Sequence, residues 1–329
     1  MDILLNVVLL VVGFVLLIKG ADWFVDGSAA IAQKFKVPGV VIGLTIVAMG
    51  TSAPELAVST SAALAGANEI AVSNVIGSNM FNLIVVLGVC AILSPMVVDS
   101  GIMKRDYPIS IGLTLMLALF MASGILFNGQ AIPSDFTQPI GKIERWMGIV
   151  CLVLFVAYIA YTIYIALKNR EEGEAIEAMP IWKALIFIVV GVAAIVGGGQ
   201  LVVDNAEAIA LQLGMTPTLV GLTIVAIGTS LPELVTSVVA SKKGQNGMAI
   251  GNVVGSNIFN LIFILGVSTT IHPIAVNMEA LIDMCILLAI NIVCFILFKT
   301  SKKVTRPEGA VMVAMYVAYT AYAIARVYM

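Results

Sequence analysis

The stretch GLTIVAMGTSAPEL, residues 43–56, brings an apolar run to a carboxylate, Glu55, in a chain that is 60% hydrophobic and only 11% charged. It occurs twice. Residues 221–234 read GLTIVAIGTSLPEL, differing at two positions of fourteen, with Glu233 in the place of Glu55. The match continues without a gap: 43–82 aligns with 221–260 at an offset of 178, and 24 of the 40 positions agree. Upstream, Gly20 and Asp26 meet Gly198 and Asp204 at the same offset. Chance would give only a few identities, so the chain carries an internal duplication.

Composition places the duplication in a bilayer. The mean hydropathy is +1.08, and 329 residues hold 17 Lys+Arg and 19 Asp+Glu, where soluble domains are roughly a quarter charged. Apolar runs repeatedly reach the ~20 residues that cross a membrane as helix. The expectation is an all-α polytopic membrane protein. A net charge of −2 without a basic cluster gives no reason to expect nucleic acid as a partner. Cys90, Cys151, Cys285 and Cys294 lie inside apolar runs without metal spacing and read as small hydrophobes. His272, the single histidine, precedes Pro273 in a short connection and reads as a loop residue. The N-terminal MDILLNVVLLVVGFVLLIKG lacks a basic n-region and an A-x-A site, and reads as the first span.

Gly, Pro, Asn and charged residues punctuate the chain into ten expected spans, near 3–21, 38–64, 70–93, 106–127, 146–168, 183–205, 216–241, 247–271, 277–299 and 309–327. The first half is then 1–168, with its repeated core at about 38–93. A linker, 169–182, leads to the second half, 183–329, with its core at about 216–271. Five spans is an odd number, so the second half enters the membrane from the opposite side. Charge agrees. With the N-terminus outside, Lys19, Lys34, Lys36, Lys104, Arg105, Lys168, Arg170, Lys183, Lys242, Lys243, Lys299, Lys302, Lys303 and Arg306 face the cytoplasm. Only Lys142, Arg145 and Arg326 are external, which is a strong positive-inside bias. Both termini are expected outside a cell inner membrane, with the central loop in the cytoplasm. Inverted repeats of this kind build secondary transporters whose ion sites lie at mid-membrane.

An ionisable group at the bilayer centre costs several kcal/mol unless it meets partners or water. Two acids at matched positions point to a cation that neutralises both. Pro54 and Pro232 lack an N–H and cannot bond the carbonyls of Gly50 and Gly228 four residues back. Gly50-Thr51-Ser52 and Gly228-Thr229-Ser230 therefore offer backbone oxygens beside hydroxyls. In NVIGSNMFN, Asn74, Ser78 and Asn82 fall within ~80° on one helical face, and Asn252, Ser256 and Asn260 repeat them in NVVGSNIFN. Gly77 and Gly255 suit close helix approach. Oxygen-only donors fit hard cations, Ca²⁺ with its 6–8 oxygens among them, and Na⁺ for the same electrostatic reason. Zinc, copper and iron normally bring imidazole or thiolate. Ser59, Ser237, Asn79 and Asn257 fit interhelical glue equally well. Asp22, Asp26, Asp204 and Glu207 read as interfacial charges at two mouths, and Glu171, Glu172, Glu174 and Glu177 as a solvated linker.

The paired G-T-S-x-P-E and G-S-N-x-F-N motifs, one set per half, resemble the two alpha-repeats of the sodium/calcium exchangers in the cation/calcium antiporter superfamily, over essentially the whole chain. The resemblance implies Glu55 and Glu233 bridging Ca²⁺, with the carbonyls of Thr51 and Thr229 completing its shell. It implies Na⁺ sites made by Ser52, Ser78 and the Ala48 carbonyl on one side, and by Ser230, Ser256 and the Ala226 carbonyl on the other. Asn82 and Asn260 match polar positions beside the centre, and spans one and six slide against the rest. Where several relatives, notably the K⁺-dependent branch, carry Asp, this chain has Asn260, so K⁺ co-transport is less expected. The expectation is an electrogenic Na⁺/Ca²⁺ antiporter in the lipid bilayer, with no cofactor and no obligatory protein partner. A Ca²⁺/H⁺ exchanger is the near alternative. A cation channel lacks a pore loop, and an intramembrane hydrolase lacks a base.

Overall fold

The structure, a computed structural model, describes residues 3–66, 68–129, 132–133, 135–168, 179–214, 226–301 and 303–327. Helix α1 (Ile3–Phe35) is followed by a bent pair, α2 (Gly39–Thr51) and α3 (Ala53–Leu64). Then come α4 (Ile70–Leu93), α5 (Tyr107–Met121), the short α6 (Ser123–Asn128) and α7 (Arg145–Lys168). The second half holds α8 (Ile181–Gln212), a turn at Ala226–Gly228, α9 (Leu231–Lys242), α10 (Asn246–Ile271), α11 (Met278–Ser301) and α12 (Arg306–Val327). Among the described residues, seven of these helices are long and apolar enough to cross a membrane, and the bent pair makes an eighth. The 15 α-helical residues of α5 are extended at their start by a π-helical turn, Ile102–Asp106, that carries Lys104, Arg105 and Asp106, and α9 has 12 residues. The expected span 216–241 lies partly outside the described residues, as do most of the linker 169–182 and its acidic run.

Two helices outrun their expected spans. With no proline before Pro38, α1 continues past residue 21 to Phe35 and stops where Lys36 turns left-handed at φ 54°. Asp22 and Asp26 therefore sit inside a helix, where both meet Lys243 Nζ at 2.6 Å across 221 and 217 residues. Likewise α8 starts one residue after Pro180 and runs beyond 205 to Gln212. Near its end Asp204 accepts from Gln200 at 2.6 Å.

These two long helices pack antiparallel along glycines spaced seven apart. A methyl group added to Gly13 would lie 2.9 Å from the Gly198 carbonyl oxygen, and one on Gly20 would lie 2.9 Å from that of Gly191. At Gly27 the neighbour is the Ala184 carbonyl, at 2.6 Å. Small residues at these positions let the two backbones approach closely. The repeat offset recurs in other contacts: Gly88 on α4 abuts Gly309 on α12, and Gly266, 178 residues later on α10, abuts Gly148 on α7. Gly255 confirms close approach, since a methyl there would come within 2.7 Å of the Leu44 backbone. The position matching Leu44 opposite Gly77 is Leu222, which lies outside the described residues.

Burial grades from the centre outward. In the most apolar stretch of α10, 89% of residues are buried, and in α4 78%, against 22% for α1 and α7 and 11% for α12. The repeated G-S-N-x-F-N helices thus form the axis, and α1, α7 and α12 lie on the outside. Two short ribbons tie connections together. Strand β1 (Met96–Val97) pairs antiparallel with β4 (Lys303–Val304), and β2 (Pro139–Ile143) with β3 (Ile274–Asn277). A cavity of about 490 Å³ gathers the α1–α2 connection, Asp99–Arg105, the end of α7 and the α9–α10 connection at one end of the bundle.

Candidate cation-binding centre

Both candidate acids sit where a helix restarts. The chain bends by 49° between α2 and α3, with Ser52 at the break (φ −83°, ψ 13°). Ser230 takes nearly the same backbone before α9, at φ −93° and ψ 4°. Pro54 and Pro232 occupy the first turns of α3 and α9, where their missing N–H needs no partner. Glu55 and Glu233 lie in those same first turns, where the positive end of the helix dipole favours negative charge.

The spacing S-x-P-E is that of a local cap, in which serine bonds its own helix and the acid three residues on reaches back. Neither Ser52 nor Ser230 caps its own helix. Instead the hydroxyls cross over: Ser52 Oγ donates to Glu233 Oε1 at 2.7 Å, and Ser230 Oγ donates to Glu55 Oε1 at 3.1 Å. Each half thereby holds the other half's carboxylate. Ser78 adds a donation to Glu55 Oε1 at 3.4 Å, and Ser256 reaches the Ala48 carbonyl at 3.5 Å. Both carboxylates are fully buried, and the second oxygen of each, Oε2, has no partner.

The surrounding polar shell comes from α4 and α10. Asn74 donates to Ser59 at 3.0 Å, and Asn252 donates to Ser237 at 2.9 Å, the same bond in each half. Thr51 Oγ1 donates to Asn252 Oδ1 at 3.1 Å, whereas the Thr229 hydroxyl is without a partner. A π-helical turn starts at Phe81 and another at Phe259, placing a wide turn at Asn82 and at Asn260; such turns are frequent at functional sites. Both amide atoms of Asn82 are buried and unpartnered, as is Asn260 Oδ1.

Of the expected residues, the structure therefore joins Ser52 to Glu233, joins Ser230 and Ser78 to Glu55, and links Ser256 to the Ala48 carbonyl. Thr51 and Asn252 bond each other. For Ala226 only the backbone is described. The hydroxyl of Thr236, one turn beyond Glu233, is buried and unpartnered as well. The repeat gives no hint of it, because Val58 stands at the matching position. Among the described residues no group of three or more His, Cys, Asp or Glu gathers. The chemistry on offer is two carboxylates ringed by hydroxyl and amide oxygens, which suits a hard cation held as cargo.

Comparison with known proteins gives the same class. The sequence profile described as "Sodium/calcium exchanger protein" matches residues 5–164 and 183–325. The chain is 35% identical over 343 residues to the sodium/calcium exchanger MaX1 of Methanosarcina acetivorans, covering 96% of this chain and 98% of that one. It is 30% identical over 335 residues to the inner membrane protein YrbG of Escherichia coli K12, covering 97% and 96%. The solved structure of the sodium-calcium exchanger NCX_Mj soaked with zero Na⁺ and Ca²⁺ superposes with a TM-score of 0.82 at 31% identity, covering 98% of this chain and 99% of that one. Members of this group are transporters, not enzymes. This chain belongs to the sodium/calcium exchanger family, and is a multi-pass membrane antiporter of the cation/Ca²⁺ class.

Proposed function

We propose that the chain exchanges Na⁺ for Ca²⁺ by alternating access, electrogenically and without K⁺, through two inverted five-span halves. The observation that carries this reading is the crossed pair of serine–carboxylate bonds. It brings two buried acids from opposite halves into one cluster and leaves an unbonded oxygen on each. Glu55 and Glu233 would take Ca²⁺ with the carbonyls of Thr51 and Thr229. Ser52, Ser78 and the Ala48 carbonyl, and Ser230, Ser256 and the Ala226 carbonyl, would take Na⁺. Asn82 and Asn260 would complete the cage.

Three features support the inverted ten-span arrangement in a cell inner membrane. Helices α1 and α8, which correspond in the repeat, run antiparallel. Each ribbon joins two connections assigned to the same side of the membrane: β1 and β4 inside, β2 and β3 outside. The 490 Å³ cavity likewise gathers four segments that the positive-inside rule assigns to the cytoplasm. The glycine seam supports sliding of the α1–α8 pair as a unit.

Exchange then follows from charge. Two buried carboxylates without a cation resist transit through the low-dielectric core, so the protein changes sides only when loaded. One Ca²⁺ or at least two Na⁺ neutralise the site, and overlap of their positions prevents both at once. Against an inside-negative potential, expelling Ca²⁺ costs ~4.6 kcal/mol per 100 mV. Two entering Na⁺ return that electrical work, and a third adds ~2.3 kcal/mol per 100 mV of drive.

The test is Ca²⁺ flux in voltage-clamped proteoliposomes carrying a Na⁺ gradient, a pH gradient or K⁺. Only the Na⁺ gradient should drive Ca²⁺, and it should carry net inward positive charge with Na⁺. Equal flux under a pH gradient alone would show proton coupling, and Na⁺-driven flux at zero current would show electroneutral exchange.

A further inference from the structure

Four buried asparagines, Asn79 and Asn82 on α4 and Asn257 and Asn260 on α10, form two pairs at the repeat offset. The first pair is symmetric. Asn79 Nδ2 donates to the Asn257 backbone carbonyl at 3.3 Å, and Asn257 Nδ2 donates to that of Asn79 at 3.3 Å. This clasp joins the two axial helices.

The second pair breaks the symmetry. Asn260 Nδ2 donates to the side-chain oxygen of Asn79 at 3.0 Å. The matching bond would run from Asn82 Nδ2 to Asn257 Oδ1, and both of those atoms are without a partner. The clasp alone would hold α4 against α10, so the Asn260–Asn79 bond does something the clasp does not. It fixes which end of the Asn260 amide faces which way. An amide has two donor hydrogens at one end and an accepting oxygen at the other, and a cation is attracted by the second and repelled by the first. With Nδ2 engaged by Asn79, the buried Oδ1 of Asn260 is the end left over for a ligand.

Resting on the exchanger reading, we propose that Asn79 is a positioning residue: its side-chain oxygen holds the Asn260 amide with the carbonyl turned toward the transported cation. Asn257 has the same clasp role but holds no amide in this conformation. Among these four asparagines the halves therefore differ by one orienting bond.

The experiment compares Ca²⁺ KM and maximal rate, per folded transporter in proteoliposomes, for wild type, Asn79→Leu, Asn257→Leu, Asn260→Ala and the Asn79→Leu/Asn260→Ala pair. Residues that orient a metal ligand are worth about tenfold or more in affinity. Asn79→Leu should raise KM about tenfold, well above the effect of Asn257→Leu, although each removes one bond of the clasp. In the Asn260→Ala background, Asn79→Leu should add nothing, as expected for residues acting in series. Asn79→Asp, which keeps the accepting oxygen, should recover most of the KM lost in Asn79→Leu, and it serves as the comparison with Asn257→Asp if the leucine variants do not fold. Equal KM increases from Asn79 and Asn257 substitutions, or an undiminished Asn79→Leu effect without the Asn260 side chain, would overturn the positioning role alone. Absence of Na⁺-dependent Ca²⁺ flux in the wild type would instead overturn the exchanger reading beneath it.

Discussion

Glu55→Gln and Glu233→Gln should each reduce Na⁺-driven Ca²⁺ uptake at least a hundredfold, while the purified variants stay folded. The substitution keeps the size of the side chain and removes one of only two negative charges available to a divalent ion. It also replaces one carboxylate oxygen by an NH₂ that repels the cation. A hundredfold loss corresponds to ~2.7 kcal/mol, which is modest for one charge of a buried pair. Stability without cation should hold or rise, because a buried charge lacking its counterion is itself unfavourable. Uptake within a factor of a few of wild type in both variants, with melting temperature as the control for folding, would remove both acids as ligands.

The seam between α1 and α8 carries the second large effect. Gly20→Val and Gly191→Val should slow Ca²⁺ uptake more than tenfold, and should lower stability by ~1–3 kcal/mol, the usual range for overpacking. A methyl at Gly20 already lies 2.9 Å from the Gly191 carbonyl oxygen, and one at Gly191 lies 2.8 Å from that of Gly20. The neighbour is backbone, which cannot swing aside. The helices must separate, and a valine that wedges between them also obstructs sliding. Gly197 is the control. It sits on the same helix, exposed, with nothing within 4 Å of an added methyl, and Gly197→Val should transport normally. Normal transport by Gly20→Val as well would mean that the seam takes no part in the cycle.

The all-helical membrane class, the candidate acids and their serines were legible because the chain states them twice. Duplication turns a single weak motif into two that must make sense together. What escaped sequence reading depends on contacts between distant residues. The end of α1 was expected near residue 21 because Asp22 and Asp26 look like a membrane boundary. Lys243, more than two hundred residues away, pairs with both and lets the helix continue. The crossing of Ser52 to Glu233 and Ser230 to Glu55 was hidden for a related reason: within either half alone, the spacing is that of a self-contained cap. The β1–β4 ribbon was invisible because Met96–Val97 and Lys303–Val304 are two residues each, too short to show an alternating pattern. The inequality of Asn82 and Asn260 could not be read at all, since a repeat implies that matched residues behave alike.

At the centre of the proposed mechanism is one oxygen cage that takes either Ca²⁺ or Na⁺ and never both. Equilibrium ⁴⁵Ca²⁺ binding to the purified chain, titrated with Na⁺ at constant ionic strength, tests that directly. A shared cage gives one Ca²⁺ per chain, displaced completely by Na⁺ with a Hill coefficient above 1, while K⁺ at the same concentration leaves it bound. Ca²⁺ that stays bound in saturating Na⁺, or that K⁺ displaces as well as Na⁺ does, would contradict it.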